Sequence, residues 1–134
     1  MEVAWNSRYS TGIEIIDDQH RELFRIVDRL RRMVSEAATR ALVEDTIVDL
    51  VACSEQHFAT EEAYMARVAY PDLEAHVAEH RSMLGSLQDL LTKFRESEQA
   101  MALVVPTFME GWLRHHISDG DFGFVTFLKA RDLV

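Results

Sequence analysis

The stretch HFATEEAYMARVAYPDLEAHVAEH, residues 57–80, holds two helical patterns back to back around a single break. To the left of the break His57 and Glu61 stand four apart, and to the right His76 and His80 do the same. Residues at that spacing share one face of an α-helix. Between the two pairs lies Tyr70-Pro71, where the proline lacks an N–H and pushes its predecessor out of the helical region. Leftward, the pattern predicts a helix from about Arg40 to Ala66 or Arg67, with Leu42, Ile47, Leu50, Val51, Phe58 and Met65 as its apolar stripe. Rightward, Pro71 suits the first turn of another helix. That helix reaches to about Phe94 through Leu73, Val77, Met83, Leu84, Leu87, Leu90 and Leu91, and tolerates Gly85 at a cost of about 1 kcal/mol.

The same period continues toward both ends. Asp17, a good N-cap residue, precedes Leu23, Phe24, Ile26, Val27, Leu30 and Val34 at helical spacing, on a helix whose polar face is rich in arginine. Ser97 is the expected cap of a fourth helix, with Glu98 and Gln99 in its first turn. Within it Pro106 either kinks the segment or marks a later start. The pattern runs on through Phe108, Trp112, Leu113 and Ile117 to Gly120 and Gly123, and FVTFLKARDLV then makes a short final helix. Residues 1–12 carry Trp5, Tyr9 and Gly12 without a period and read as an irregular arm packed on by its aromatics. The expected architecture is all-α: one domain over 1–134, with an antiparallel up-down four-helix bundle over about 17–119 and a short C-terminal helix over about 121–132.

Composition narrows the function. A chain of 134 residues, 48% hydrophobic, buries one sizeable core. A net charge of -9, from 14 basic and 23 acidic residues, argues against nucleic acid and anionic membranes as partners. The longest wholly apolar run, residues 100–105, is far short of the roughly 20 residues of a membrane helix. The start MEVAWNSRYS lacks the pattern of a secretory leader, and the single cysteine, Cys53, has no partner for an internal disulfide. A cytoplasmic location is therefore expected.

All 6 histidines fall in tight clusters: His20, His57, His76, His80 and the adjacent His115 and His116. Any one alone reads as an ordinary surface or core histidine. Together, with at least one on each of four helices and Glu61 one turn from His57, they point to a metal at the bundle centre. The absence of cysteine from these positions disfavours structural zinc and iron–sulfur clusters, whereas nitrogen and oxygen donors suit iron, manganese or zinc. The donors exceed the roughly six places of one octahedral ion, so two ions are expected. Ferritin-like Glu-x-x-His tetrapeptides are absent. One choice stays open at this level: on a straight helix His115 and Asp119, four apart, pair better than His116 and Asp121, five apart, which need the helix to end or loosen. Gly120 permits such a distortion.

The segments IDDQHRELF (16–24), HFATEE (57–62), YPDLEAHVAEH (70–80) and WLRHHISDGD (112–121) together resemble the four signatures of the hemerythrins, in particular single-domain bacteriohemerythrins. The resemblance covers nearly the whole chain and keeps the family's order. It implies that His76, His80 and His116 hold one iron, that His20 and His57 hold the other, and that Glu61 and Asp121 bridge the two. It thereby prefers His116 and Asp121 to the rival register and leaves His115 on the surface or behind the ligands. With an oxo or hydroxo bridge from solvent, these ligands fill all but one of about twelve octahedral places. The vacancy falls on the iron of His20 and His57. Dioxygen would bind there end-on and take two electrons from a diferrous pair, in a dry pocket lined by Phe58, Trp112, Leu113 and Ile117.

The function so implied is reversible dioxygen binding for storage, transport or delivery, for example to an oxygen-consuming enzyme; it is not catalysis. Other readings of the same residues are an oxygen or redox sensor acting through a signalling partner, a diiron peroxidase or nitric oxide scavenger, and non-redox metal storage. Cys53 lies one turn before His57, where members of the family resembled carry an aromatic residue; it reads as a buried, inert thiol, with a redox role behind the ligands as the sharper alternative. Asp17 reads as an N-cap that also contacts His20 from behind, and Glu62 as a solvated neighbour of Glu61.

Overall fold

The computed structural model describes residues 5–96 and 101–133, and every regular element in them is helical. The long helices are α1 (Glu14–Ser35), α2 (Arg40–Arg67), α3 (Leu73–Arg95) and α4 (Met101–His115). The chain then passes through a π-helical segment, His116–Asp121, into α5 (Phe122–Ala130). Each long helix packs on the next and α4 closes back on α1. This is the antiparallel four-helix bundle that the pattern predicts. No described helix is long and apolar enough to cross a membrane.

The buried stripes follow the predicted period with one exception. Leu23, Phe24, Ile26, Val27 and Leu30 of α1 are buried, as are Ile47, Leu50, Phe58 and Met65 of α2 and Met83, Leu87, Leu91 and Phe94 of α3. Leu42, expected inside, is 51% exposed, and Val43 takes the interior position. The reason is register: Val43, Ile47, Leu50, His57 and Glu61 lie on one continuous stripe, and Leu42 is rotated about 100° from Val43. Pro106 lies inside α4 and is buried. The expected cap Ser97, with Glu98 and Gln99, falls outside the described residues.

Two helix ends are closed by backbone hydrogen bonds around a residue of positive φ. After α1, Ala37 has φ 53°, Ala38 N–H donates to Met33 O at 2.9 Å and Ala37 N–H to Val34 O at 3.3 Å. After α2, Ala69 has φ 55°, with Tyr70 N–H on Met65 O at 2.9 Å and Ala69 N–H on Ala66 O at 3.2 Å. Both are Schellman turns, built on alanine where glycine is usual. Thus α2 stops before Pro71 is reached, and Pro71 sits in the turn preceding α3, not in that helix's first turn.

Asp17 does not cap α1. The helix starts three residues earlier, at Glu14, with Ile13 at the N-cap position and no side-chain cap. The Asp17 carboxylate is buried and accepts from Thr11 N–H and Thr11 Oγ1, both at 2.8 Å, and from Ser10 Oγ at 3.1 Å. These bonds go to the arm, and His20 Nδ1, which Asp17 was expected to contact, has no hydrogen-bond partner. The arm is therefore tied by hydrogen bonds as well as by packing: Tyr9 stacks on Phe24 at 5.2 Å between centroids, and the Arg21 guanidinium lies 4.1 Å from the Trp5 ring centre.

The core has two apolar bodies with a polar layer between them. The larger includes Leu23, Phe24, Phe58, Met83, Leu87, Leu113 and Ile117. The smaller is Ile13, Ile16, Met65, Phe124, Val125 and Leu128, supplied partly by α5. Along α1, His20 falls between Ile16 of the smaller body and Leu23 of the larger; along α2, Glu61 falls between Met65 and Phe58. Apolar packing thus seals the polar layer from both sides.

Candidate metal centre

Seven side chains from α1, α2, α3 and the π segment meet in that layer: His20, His57, Glu61, His76, His80, His116 and Asp121, all buried. Every histidine presents its Nε2 inward. His57 lies 3.0 Å and His20 3.6 Å from Glu61 Oε2. The other oxygen, Oε1, is 3.2 Å from His76, 3.2 Å from His80 and 3.1 Å from His116. His116 Nε2 is also 3.4 Å from Oε2, so Glu61 sets His20 and His57 on one oxygen and His76 and His80 on the other, with His116 within reach of both. Asp121 spans the same two groups, with Oδ2 2.9 Å from His20 and 3.2 Å from His116, and Oδ1 3.4 Å from His76.

The π segment brings His116 and Asp121 together. In a straight α-helix they would point about 140° apart, but an i→i+5 turn brings the fifth residue round to the same side. The rival pair is also formed, on the outside: His115 Nδ1 is 2.9 Å from Asp119 Oδ2, with side chains 63% and 69% exposed. Gly120 contributes space. A Cβ there would stand 2.9 Å from His76 Cε1 and 3.6 Å from His116 Nδ1.

The aromatic residues cover the rings. Phe58 stacks on His80 at 3.9 Å and 8°, and Trp112 on His116 at 4.4 Å and 15°. Leu113 and Ile117 are fully buried in the larger apolar body. Cys53 is half-buried, not buried as expected; burial first, then the nearby Glu22 and Asp49, push its thiol up to about 11. The acids acting on it are those of α1 and α2 outside the cluster.

Two residues stand behind the ring nitrogens: Gln19, which sequence reasoning left aside together with its partner Thr60, and Glu62. Gln19 Oε1 is 2.8 Å from His57 Nδ1, and Gln19 Nε2 donates to Thr60 Oγ1 at 3.0 Å. Glu62, expected to be solvated, places Oε2 2.7 Å from His80 Nδ1. A neighbour one position along a helix points about 100° away; here that direction is still toward an adjacent helix, which only packing could reveal.

Electrostatics suit a cation. Burial favours the neutral imidazole, yet the Asp121 and Glu61 carboxylates outweigh it and raise His116 to about 10. Burial is likewise overcome at His76, raised to about 9 by the adjacent Asp121 and Glu61 carboxylates. His20 is raised for the same reason, whereas burial dominates at His57 and lowers it. Despite burial, the surrounding histidines hold Glu61 well below the usual carboxylate range.

These shifts predict two pH effects. In chelator-stripped protein, the stabilisation from His76 and His116 is fully present below about pH 6.5 and is lost as pH rises through about 9 to 10. The thermal midpoint should therefore fall across that window. Loading with a divalent cation at pH 7 should release protons into a weakly buffered solution, and affinity should weaken as pH falls. A midpoint flat from pH 7 to 10.5 would contradict this assignment.

The comparisons agree with this geometry. The family model described as "Hemerythrin HHE cation binding domain" matches residues 11–128. The bacteriohemerythrin of Methylococcus capsulatus is 30% identical over 122 residues, covering 89% of this chain and 91% of that protein. The bacteriohemerythrin of Stenotrophomonas maltophilia is 27% identical over 128 residues, covering 96% and 82%. A crystal structure of a leucine-to-phenylalanine mutant aligns with a TM-score of 0.79 at 26% identity, covering 94% of this chain and 97% of that one. The match over residues 11–128 takes in all seven converging side chains, and the chain belongs to the hemerythrin family of HHE cation-binding domains.

Proposed function

We propose that this chain binds dioxygen reversibly at a pair of iron ions, as an oxygen-binding protein and not an enzyme. The observation that carries the reading is the convergence of five Nε2 atoms on the two oxygens of one buried carboxylate, His20 and His57 on Oε2, His76 and His80 on Oε1, and His116 within reach of both. The donor set passes a test of fit. His20 Nε2, His57 Nε2, His80 Nε2 and both Asp121 oxygens are buried and lie close to one another without making a well-aligned hydrogen bond, and buried polar atoms without one cost about 1–3 kcal/mol each unless something satisfies them. Nitrogen and carboxylate donors without thiolate suit iron.

In this reading His20 and His57 would hold one ion and His76, His80 and His116 the other, with Glu61 and Asp121 offering carboxylate oxygens to both. A ferrous pair would supply the electrons and the open place that dioxygen requires. The protein's own part is to orient the rings and keep water out. Phe58 and Trp112 hold His80 and His116 by face-to-face stacking. Phe58, Leu113 and Ile117 are almost wholly shielded, and they form a dry wall beside the histidines. Excluding water and anions from the open place protects the ferrous state from irreversible oxidation.

The test is anaerobic reconstitution with ferrous iron, counting iron per chain and recording visible spectra as air is admitted and removed. Two irons and a charge-transfer band that appears and disappears with air support the proposal. Two irons with one-way oxidation would favour sensing or catalysis instead, and failure to hold the pair would overturn the centre.

A further inference from the structure

We propose that two hydrogen-bond relays of unlike charge, Gln19–Thr60 behind His57 and Glu62 behind His80, fix both rings as Nε2 donors and make the two halves of the centre electronically unequal. This rests on the reading of the cluster as a metal centre.

The relay behind His57 has a fixed polarity. It begins at the backbone carbonyl of Gln56, which only accepts, so Thr60 Oγ1 donates to it at 3.0 Å. Having spent its hydrogen there, Thr60 Oγ1 must accept from Gln19 Nε2 at 3.0 Å. The Gln19 amide is thereby oriented with Oε1 toward His57 Nδ1 at 2.8 Å, and that nitrogen must carry the hydrogen. Its Nε2 is left with a bare lone pair 3.0 Å from Glu61 Oε2. A backbone carbonyl cannot reverse its role, so the whole chain of donors has one direction.

Behind His80 the outcome for the tautomer is the same and the charge is not. The Glu62 carboxylate accepts from His80 Nδ1 at 2.7 Å and leaves Nε2 bare, 3.2 Å from Glu61 Oε1. A carboxylate drawing on the Nδ1 hydrogen makes the ring a stronger donor, whereas a neutral amide only orients it. By contrast, His20 Nδ1 and His116 Nδ1 are buried without a hydrogen-bond partner. Glu62 is 33% exposed, so water weakens its charge without removing it. The half of the centre that contains His80 is thus biased toward the oxidised ion, while the half that contains His57 has only a neutral amide behind that ring.

The relays are tested by a reciprocal exchange, Glu62→Gln and Gln19→Glu, with Thr60→Val to cut the first relay and Thr60→Ser as its rescue. Each protein is reconstituted with ferrous iron, challenged with a chelator and titrated spectroelectrochemically. Glu62→Gln should keep its iron and shift the equilibrium toward the reduced form about tenfold, or about 59 mV for a one-electron step. Gln19→Glu should shift it the opposite way. Thr60→Val should weaken iron retention about tenfold, and Thr60→Ser should restore it. Redox equilibria within twofold of the parent in both exchange variants, or full retention in Thr60→Val, overturn the relays. A parent protein that holds no iron pair overturns the centre itself, and the relays with it; one that holds the pair while the variants fail overturns only the relays.

Discussion

Glu61→Gln is expected to reduce affinity for the metal pair by more than about 100-fold while leaving the bundle folded. Removing a hydrogen bond behind a ligand already costs about 10–100-fold, and Glu61 contributes both of its oxygens, one to each group of histidines. Glutamine keeps the volume but replaces one of those oxygens with an amide nitrogen that has no lone pair to offer. Glu61→Ala should do the same to affinity and should also destabilise stripped protein by about 3 kcal/mol, the lower end for breaking a buried ion pair, because the remaining imidazoles can shed their protons. Chelator competition with zinc or ferrous iron, alongside thermal melts, measures both effects. Parental affinity in Glu61→Gln would remove this residue from the centre.

Gly120→Ala is expected to cost about 1–3 kcal/mol, the usual range for overpacking, and to weaken the site through His76. The added Cβ would meet His76 Cε1 at 2.9 Å and Nδ1 at 3.5 Å. A flexible side chain would move aside at little cost, but this ring is held by Glu61 and Asp121 at 3.2 and 3.4 Å. The control has the opposite sign. At Gly85 in α3 a Cβ meets nothing within 4 Å, so Gly85→Ala should stabilise by about 0.5–1 kcal/mol through helix propensity alone. Chemical denaturation of both variants, with and without metal, separates a steric effect from a backbone one. Equal and positive changes at the two glycines would show that the close approach to His76 is unimportant.

Much of this was legible without coordinates because helices bury a stripe, and a stripe has a period. His57 with Glu61 and His76 with His80 were paired by a spacing of four, and the break at Tyr70-Pro71 separated their helices. The misassignments share a cause. Asp17 looks like a cap because caps are recognised by residue type, whereas its carboxylate is bound by Thr11 and Ser10, six and seven positions away in an arm without periodicity. Leu42 reads as the first member of the apolar stripe, and a one-position difference in register puts Val43 inside instead.

The sequence by itself determined the helices, their order and which residue types could meet a cation, since these follow from local period and donor chemistry. Tertiary structure alone decided three things. It showed that the chain passes from α4 through a π segment, so that His116 and Asp121 face inward while His115 and Asp119 pair in solvent. It set His20 and His57 against one oxygen of Glu61, His76 and His80 against the other and His116 against both, where the residues alone give only a family resemblance. It also set a neutral amide behind His57 and a carboxylate behind His80. Each is a matter of direction across the gap between helices, and a periodic pattern specifies which face a side chain occupies without specifying what stands opposite.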